Sequence, residues 1–402
     1  MQAFNLLSRK ASQNLPVLVG SQAIFPCAGT LSVGRCSSAG RLIKIVATRS
    51  LPKLGFAALP FFVCFSVLSS KIGFTQEKST PGYEYKFPAM GTLVYLKAYH
   101  GDREKVSDAF TRAEQRVREI EKTLTDYDPN SETSKLTERA VKNPTAVSAD
   151  LWAVLQASDR WYHISEGAFD SSLGTLTKLW RKYRRARRIP GEKQIDTSLA
   201  HTGWEHVELD KEEPQVTFAI NDLHLDFGGI GKGYAVDEVF ELLVKDGIEC
   251  CMVNISGNIR VGSQPPGREG WRIEVAGLER GGKPLQRMIL NNAAMATSGD
   301  LWQYIEIEGR RHSHILDPKT GYGVLGPISA TAVGKTAMEV DAMATVGCIL
   351  DWKKTQALAE KEGIKLLVAK RGEAEKVSVK RTQSFPEPLP TEESKPTTQK
   401  DQ

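Results

Sequence analysis

The spacing of apolar residues predicts a strand followed by a long helix where the folded part of the chain begins. Residues 83–99 alternate apolar and polar side chains around one glycine, which is typical of a strand with a single break. Apolar residues then recur at alternating steps of four and three, as in an amphipathic helix. They are Val106, Phe110, Ala113, Val117, Ile120 and Leu124. The opening unit is therefore predicted to be a strand and then a helix.

Further helices and strands are mixed along the chain up to about residue 382. Helical patterns cover residues 149–166 and 233–245, and a third helix follows a capping box of Thr336 and Glu339 and ends near Leu350. Short strands are predicted within residues 204–227, and two strands joined by a turn within residues 249–275. This mixture predicts an α+β fold with mixed or antiparallel sheets and packed helices, forming one large or two closely joined domains over residues 83–382.

The C-terminal segment, residues 384–402, differs in composition from this body. It is rich in Pro, Glu, Lys and Thr and almost lacks large apolar side chains. Such a segment cannot bury enough apolar surface to offset the entropy lost on ordering. We therefore expect residues 384–402 to form a disordered tail.

Charge separates the first 76 residues from the rest of the chain. The whole chain has 53 Lys and Arg against 48 Asp and Glu, a net charge of +5. No acidic residue precedes Glu77, whereas eight basic residues do, so the remainder has 45 basic against 48 acidic residues, a net charge of −3. The basic balance belongs to a leader and does not indicate a nucleic-acid-binding body.

This leader, residues 1–76, has the layout of a targeting segment. Its apolar core, residues 54–70, is uncharged and follows a positively charged stretch, as in a signal peptide. An uncleaved N-terminal membrane anchor is the alternative, since roughly 20 apolar residues cross a bilayer. Both place the body in the periplasm or on the outer face of the cytoplasmic membrane. The long acid-free stretch also leaves open an organellar transit peptide or a start codon assigned too early.

The cysteines do not indicate a disulfide framework. Three of the six lie in the leader, which leaves Cys250, Cys251 and Cys348 in the body. An odd number with one adjacent pair and no CxxC motif indicates neither paired disulfides nor a zinc site. We expect buried free thiols.

A glycine-rich turn is the first candidate for binding chemistry. Residues 223–239 read LHLDFGGIGKGYAVDEV, an alternating strand that ends in glycines and leads into a helix. Free N–H groups and the helix dipole at such a turn favour anions such as phosphate. Neither Walker A nor GxGxxG spacing is present. The segment therefore predicts either a phosphate loop of another kind or a tight strand-to-helix turn.

The helix that follows Thr336 carries a candidate metal pair. Asp341 and Thr345 are four residues apart and so lie on one helix face. Their oxygens are hard ligands of the kind that magnesium takes, with water, a main-chain carbonyl and substrate phosphate completing the shell. A surface pair without a ligand role is the alternative.

Two further segments carry charge or titratable groups. HSHILDPKTG, residues 312–321, holds two histidines, of which one can act as a base near neutral pH or fill a structural role. RKYRRARR, residues 181–188, packs six positive charges into eight positions with one tyrosine among them. Because nucleic-acid-binding patches interleave more aromatic residues, we interpret this run as a solvated loop and expect no nucleic-acid partner.

Taken in order, these motifs resemble those of the FAD:protein FMN transferases, the ApbE family. The resemblance covers about residues 85–370 and rests on eight segments. They are FPAMGT (87–92), LTDYDPNSETSKL (124–136), GAFDSSLGTLTKLW (167–180), LDFGGIGKGYAVD (225–237), VNISGNIRVG (253–262), ATSGD (296–300), HSHILDPKTG (312–321) and TAMEVDAMAT (336–345). Ser256 and Gly231 depart from the family pattern, which commonly has Gly and Ala at these positions.

The resemblance implies an enzyme that moves FMN from FAD onto a threonine hydroxyl of a target protein, releases AMP and requires Mg²⁺. It implies an FAD site, formed partly by main-chain groups, at Met90, Tyr127, Ala168, Phe169, Asp170, Asp226, Lys232 and Ile315. It implies metal ligands at Asp341, Thr345 and the carbonyl of Gly229. His314 would be the base that takes the proton of the threonine hydroxyl.

Typical targets of the family are subunits of membrane redox complexes whose flavinylated domains face outside the cytoplasm, which suits an exported enzyme. Two other functions stay open. A magnesium-dependent FAD pyrophosphatase would use water in place of threonine and release FMN and AMP. A flavin-binding protein would hold FAD without turning it over, but it would not need a metal aimed at the pyrophosphate.

Overall fold

The computed structural model describes residues 80–372 and 376–390. The leader with its apolar core lies outside these residues, and so does the tail after residue 390, so the predictions made for them stay predictions. In the part of the chain that is described, no helix is both long and apolar enough to span a membrane.

Helices and strands alternate irregularly along the described residues. The helices are α1 (Arg103–Leu124), α2 (Glu132–Arg139), α3 (Ala149–Ile164), α4 (Gly174–Arg185), α5 (Glu192–Leu199), α6 (Gly231–Lys245), α7 (Ala337–Ile349) and α8 (Trp352–Lys361), with a short 3-10 helix at Trp204–His206. The strands are β1 (Gly82–Ala89), β2 (Thr92–Tyr99), β3 (Thr145–Ala146), β4 (Val207–Leu209), β5 (Gln215–Phe218), β6 (Cys251–Ile255), β7 (Asn258–Val261), β8 (Trp271–Val275), β9 (Gln286–Leu290), β10 (Ala293–Gly299), β11 (Tyr304–Ile307), β12 (Arg310–Leu316), β13 (Gly323–Gly326), β14 (Ile328–Gly334), β15 (Lys365–Arg371) and β16 (Val377–Arg381).

The strands form one large sheet and several small ones. The large sheet has the order β1-β2-β6-β7-β10-β14-β15-β16, and each neighbouring pair is antiparallel. The small sheets are β11-β12-β13, β3-β5-β4 and the ribbon β8-β9. Antiparallel sheets with packed helices confirm the predicted α+β class.

The large sheet buries side chains on both of its faces, because successive residues of a strand point to opposite sides. On β2, Val94 and Leu96 join the main core together with residues of α1, α6 and α7. Tyr95, between them, belongs to a second core that contains Trp271 and Met288 of the ribbon β8-β9. The helices that carry the candidate site therefore cover one face of the sheet.

Helix α1 confirms the periodicity read from the sequence. All six residues of the predicted apolar stripe are buried, and the helix begins after Asp102, whose side chain accepts a hydrogen bond from the Lys105 N–H. The helices predicted over residues 149–166, over 233–245 and after Thr336 are present as α3, α6 and α7.

Residues 83–99 form a hairpin, so the single strand predicted there was wrong. β1 ends at Ala89 and β2 begins at Thr92, and Met90 and Gly91 between them have φ angles of 51° and 67°. Two consecutive positive φ angles give the tight turn that matches the twist of hairpin strands. The sequence hid this turn because methionine rarely adopts a left-handed backbone.

The predicted capping box at Thr336 was also wrong. The hydroxyl of Thr336 donates to the Glu339 carboxylate at 3.2 Å, and it caps no backbone N–H. The first N–H groups of α7, at Ala337 and Met338, donate instead to the Asp237 carboxylate, at 2.8 and 2.9 Å. Because Asp237 lies on α6, this cap ties the two helices together.

Two other local predictions need correction. Residues 223–227 alternate in burial but form no strand, because their main chain bonds to residues at and just before the start of α4: the Gly174 N–H donates to the His224 carbonyl at 2.9 Å. The prediction of a disordered tail was wrong for residues 384–390. Phe385 is buried in the second core, and the Leu389 N–H donates to the Arg287 carbonyl at 2.7 Å.

Candidate functional site

Helices α6 and α7 pack closely at Gly233. A Cβ atom on this residue would lie 2.4 Å from the Ala337 carbonyl oxygen and 2.6 Å from Met338 Cα, so only glycine fits without a shift of one helix. The close approach lets the Gly233 N–H donate to Oδ2 of Asp341 at 3.0 Å. Gly233, the last glycine of the glycine-rich turn, thus allows the start of α6 to contact Asp341, the candidate metal ligand.

Asp341 is a buried carboxylate with few charged neighbours. Its side chain is 3% exposed, and Asn258 Nδ2 donates to the same Oδ2 at 3.1 Å. Burial raises the pKa of Asp341, and the positive charge of Lys232 and the two hydrogen bonds only partly oppose this effect. A carboxylate in this environment gains if a cation binds beside it.

Thr345 lies one turn further along α7 and adjoins Gly229. Its hydroxyl contacts the Asp341 carbonyl at 3.1 Å and the Ser298 hydroxyl at 3.2 Å. A Cβ atom on Gly229 would lie 3.0 Å from Thr345 Oγ1 and 3.3 Å from Phe169, so the glycine leaves space where these residues meet. The fold therefore brings together all three residues predicted to bind the metal.

The chemistry of these donors fits a hard cation. One carboxylate, one hydroxyl and one main-chain carbonyl are oxygen ligands of the type that Mg²⁺ accepts, with water and phosphate oxygens in the remaining positions. Among the described residues there is no cluster of three or more His, Cys, Asp and Glu side chains able to hold a metal. A site at Asp341 would therefore combine this one carboxylate with uncharged oxygen ligands of the protein.

The loop before α6 is shaped by its own side chains. Asp226 Oδ1 accepts the Gly228 N–H at 2.8 Å, and Lys232 Nζ donates to the Gly228 carbonyl at 2.6 Å. The Asp226 N–H also donates to the Ser171 carbonyl at 2.8 Å, which joins this loop to the segment that contains Phe169. The two predicted FAD segments are thus neighbours in the fold.

Residues 168–170 contribute mainly buried groups. Ala168 and Phe169 belong to the main core, and the Phe169 N–H donates to the Ser165 hydroxyl at 2.9 Å. The Asp170 carboxylate accepts hydrogen bonds from the N–H and hydroxyl of Ser172, at 2.7 and 2.6 Å, and burial raises the pKa of Asp170. Asp170 therefore stabilises this turn directly.

Met90 and Ile315, like Ala168 and Phe169, are predicted FAD residues whose side chains are apolar and packed. Met90 is half-buried at the β1–β2 turn against the main core. Ile315 is buried in a small cluster with Ile328, Ala330 and Cys348. Polar contacts with a ligand at these two positions would have to come from the main chain.

His314 is positioned by a single carbonyl group. Both its backbone N–H and its ring Nδ1 lie 3.1 Å from the Gln303 carbonyl oxygen. Since a carbonyl can only accept, Nδ1 carries the proton and Nε2 is left with its lone pair. This is the tautomer that a general base requires.

The pKa of His314 is lowered from its usual value. The cause is first the loss of hydration to the surrounding protein and then the positive charges of Arg184 and Lys232, while the hydrogen bond to Gln303 opposes the shift. The imidazole itself is exposed to solvent, which limits the loss of hydration. The lowered pKa keeps His314 neutral at pH 7.

Arg181 joins two further predicted residues. Its guanidinium forms ion pairs with Asp126 and, at 2.7 Å, with Asp226, and it lies 4.3 Å from the centre of the Tyr127 ring. The basic run was interpreted as a solvated loop, but its first five residues continue α4 and Arg181 is largely buried. That interpretation was wrong for Arg181.

The sequence did not indicate four residues that support the site: Arg181, Asn258, Ser298 and Gln303. Asn258 and Ser298 lie inside the motifs VNISGNIRVG and ATSGD, but nothing in those motifs says that they contact Asp341 and Thr345. The sequence showed that Arg181 lies in a positively charged run. It did not show which acids pair with Arg181, because they are 45 and 55 residues away along the chain.

Known proteins match this sequence over most of its body. The sequence profile of the ApbE family matches residues 90–368. The chain is 30% identical over 299 residues to the FAD:protein FMN transferase of Vibrio cholerae, covering 73% of this chain and 88% of the relative. It is 29% identical over 298 residues to the FAD:protein FMN transferase of Haemophilus influenzae, covering 72% and 86%.

Solved structures show the same fold. The flavin transferase ApbE from Vibrio cholerae superposes with a TM-score of 0.67 at 26% identity, covering 76% of this chain and 98% of that one. The apbe protein of Thermotoga maritima superposes with a TM-score of 0.68 at 27% identity, covering 75% and 97%. The profile match spans more than half of the sequence, and the chain belongs to the ApbE family.

Proposed function

We propose that this protein transfers FMN from FAD onto a threonine hydroxyl of a target protein, releases AMP and uses a divalent cation, magnesium by the chemistry of the ligands. Membership of the ApbE family and relatives named FAD:protein FMN transferase support flavin transfer. The observation that carries the proposal is the meeting of Asp341, Thr345 and Gly229 beside the glycine-rich loop.

The reaction breaks the bond between the FMN phosphorus and the oxygen of AMP. The threonine oxygen attacks that phosphorus, AMP leaves with the bridging oxygen, and the hydroxyl proton passes to a base. A cation held by Asp341, Thr345 and the Gly229 carbonyl would neutralise negative charge on the pyrophosphate. The chain's own contribution is to hold the two reacting groups in line and to accept the proton.

His314 is proposed as that base. The hydrogen bond from Nδ1 to the Gln303 carbonyl fixes the ring and leaves Nε2 as acceptor. The lowered pKa keeps the imidazole neutral, so it is ready to take a proton at pH 7. The ammonium group of Lys232 donates a hydrogen bond to the Gly228 carbonyl, and it would place a positive charge beside the phosphate groups of FAD.

The flavin ring is proposed to stack on Tyr127. This tyrosine is 69% exposed, so one face of its ring is open to a flat ligand. Asp226, close behind it, would bind polar groups of FAD. We also propose that the enzyme is exported and modifies a subunit of a membrane redox complex, since the leader precedes the body and this family of reactions needs a protein acceptor.

Hydrolysis of FAD is the second candidate. His314 is exposed to solvent, so water can reach the base when no acceptor protein is bound. The products would be FMN and AMP, made by the same residues. The two activities differ only in the nucleophile, and the experiment must therefore follow the flavin as well as AMP.

The test uses the purified protein with FAD and magnesium, with and without an acceptor domain that exposes a threonine. If the protein transfers FMN, the acceptor should remain fluorescent after denaturation, and one AMP should be released for each flavin attached. FMN and AMP without labelling would favour hydrolysis, and bound FAD without AMP would contradict both enzymatic proposals. Asp341→Asn should lose AMP release, and Asp108→Asn, on the exposed face of α1, should not.

A further inference from the structure

We propose that Arg181 is a positioning residue for FAD: it fixes Tyr127 and Asp226 in the arrangement that receives the flavin. The inference rests on the proposed function, because it takes Tyr127 and Asp226 as parts of the FAD site. It adds a residue from the basic run, to which the sequence motifs gave no role.

The guanidinium of Arg181 divides its two terminal nitrogens between two carboxylates. Nη1 pairs with Asp126 Oδ2 and Nη2 pairs with Asp226 Oδ2 at 2.7 Å. Asp126 belongs to the loop after α1, whereas Asp226 belongs to the loop before α6. One side chain of α4 therefore connects two loops that are 100 residues apart in sequence.

These ion pairs are shielded from solvent. The side chains of Arg181, Asp126 and Asp226 are 19%, 8% and 13% exposed. Solvent screening is weaker at such positions than at the surface, and a fork of N–H donors holds carboxylates with defined geometry. Burial and the negative charge of Asp226 raise the pKa of Asp126, and the positive charge of Arg181 opposes this. Asp126 and Asp226 are therefore held close to each other by the guanidinium of Arg181, which pairs with both.

Tyr127 is held mainly from one side. Its ring is 69% exposed, and the face that is not open to solvent carries Arg181 at 4.3 Å. A cation against an aromatic face is attractive and restricts the ring. The salt bridge to Asp126 also anchors the residue that directly precedes Tyr127. Ordering the ring before FAD arrives reduces the entropy lost on binding.

The two carboxylates largely neutralise the charge of Arg181. It is therefore poorly suited to act as a phosphate ligand itself, and its effect on FAD should pass through Tyr127 and Asp226. This makes a specific prediction, because a residue that acts through another shows coupled, non-additive effects in a double-mutant cycle.

The experiment measures the Kd of FAD by titration calorimetry and by quenching of flavin fluorescence, for full-length wild-type protein and for variants. Arg181→Gln should weaken binding by about tenfold. Arg181→Lys should recover part of the loss, because it keeps the charge but cannot hold both carboxylates. Arg118→Gln is the matched control: Arg118 also pairs with an acid, Glu114, and lies over a ring, Phe87, but on α1.

The cycle combines Arg181→Gln with Tyr127→Ala. The expected result is that the double variant loses less FAD affinity than the two single losses added together, with reduced quenching in all three variants. Additive losses, or a Kd of Arg181→Gln within about twofold of wild type, would overturn the proposal. Wild-type protein that binds no FAD would overturn the proposed function as well. If Arg181→Gln does not fold, the same cycle with Arg181→Lys decides the question.

Discussion

The carboxylate of Asp341 accepts a hydrogen bond from the backbone N–H of Gly233 at 3.0 Å. The contact links the end of the glycine-rich turn to the middle of α7, two segments that are 108 residues apart. It places the motif with glycines at alternate positions directly beside the motif with Asp and Thr four residues apart.

The first prediction concerns metal binding without reference to activity. A raised carboxyl pKa means that the folded state favours the protonated form, so in the absence of metal the stability gained from Asp341 increases as pH falls through that raised pKa. At pH 7 the buried charge is unfavourable, and Asp341→Asn should leave the metal-free protein at least as stable as wild type.

Magnesium should reverse this order. Millimolar Mg²⁺ should raise the Tm of wild type and of Asp108→Asn in thermal unfolding, compared with chelator, and should leave the Tm of Asp341→Asn unchanged. An equal rise in Tm for Asp341→Asn would show that the cation binds elsewhere.

The second prediction concerns the contact between α6 and α7. Gly233→Ala should destabilise the protein by about 2–3 kcal/mol, because a methyl group would lie 2.4 Å from the Ala337 carbonyl oxygen. Gly231→Ala is the matched control: its methyl group would meet atoms at 3.5 Å, an ordinary contact, and alanine favours helices. Urea unfolding measures both variants. Equal stability of the two would contradict the close approach of the helices.

The third prediction concerns His314 and pH. Because the pKa of His314 is lowered, the imidazole stays neutral below pH 6.5, and transfer should decline in acid only below the pH expected for an ordinary histidine. His314→Gln should slow transfer by about 100-fold or more and remove this acid limb, while the Kd of FAD changes little. Profiles of kcat/KM against pH for the two proteins provide the measurement. An unchanged acid limb in the variant would assign the titration to another group.

The fourth prediction concerns Ser256, in the two-residue turn between β6 and β7. Its φ angle is 54°, a left-handed conformation that costs a non-glycine residue about 1 kcal/mol. Ser256→Gly should therefore stabilise the protein by about 0.5–1 kcal/mol in urea unfolding, and Ser256→Ala should not. A loss of stability in Ser256→Gly would mean that the serine hydroxyl contributes more than the backbone strain removes.

Periodicity was sufficient to predict helices α1, α3 and α6. The apolar stripe from Val106 to Leu124 predicted α1 because a helix that packs on a sheet must bury one face. The pair Asp341 and Thr345 was likewise identified from its spacing, which alone places both side chains on one helix face. These properties are local, so they can be read from neighbouring residues.

The missed features depend on contacts between distant residues. Asp237 caps α7 across 100 residues, and nothing next to Thr336 indicates it. Arg181 forms ion pairs with Asp126 and Asp226 because the fold places their loops beside α4. The hairpin at Met90 was hidden because the sheet imposes a backbone angle that methionine does not favour by itself.

The central claim, that FMN moves from FAD to a threonine of another protein, is tested most directly by tandem mass spectrometry of the acceptor. The acceptor domain is incubated with the purified enzyme, FAD and magnesium, and in parallel with chelator or with Asp341→Asn. We predict an added mass of one FMN less one water, located on a threonine, present only in the complete reaction and matched by released AMP. An unmodified acceptor, together with free FMN and AMP in the complete reaction, would contradict the transferase and leave a metal-dependent FAD hydrolase.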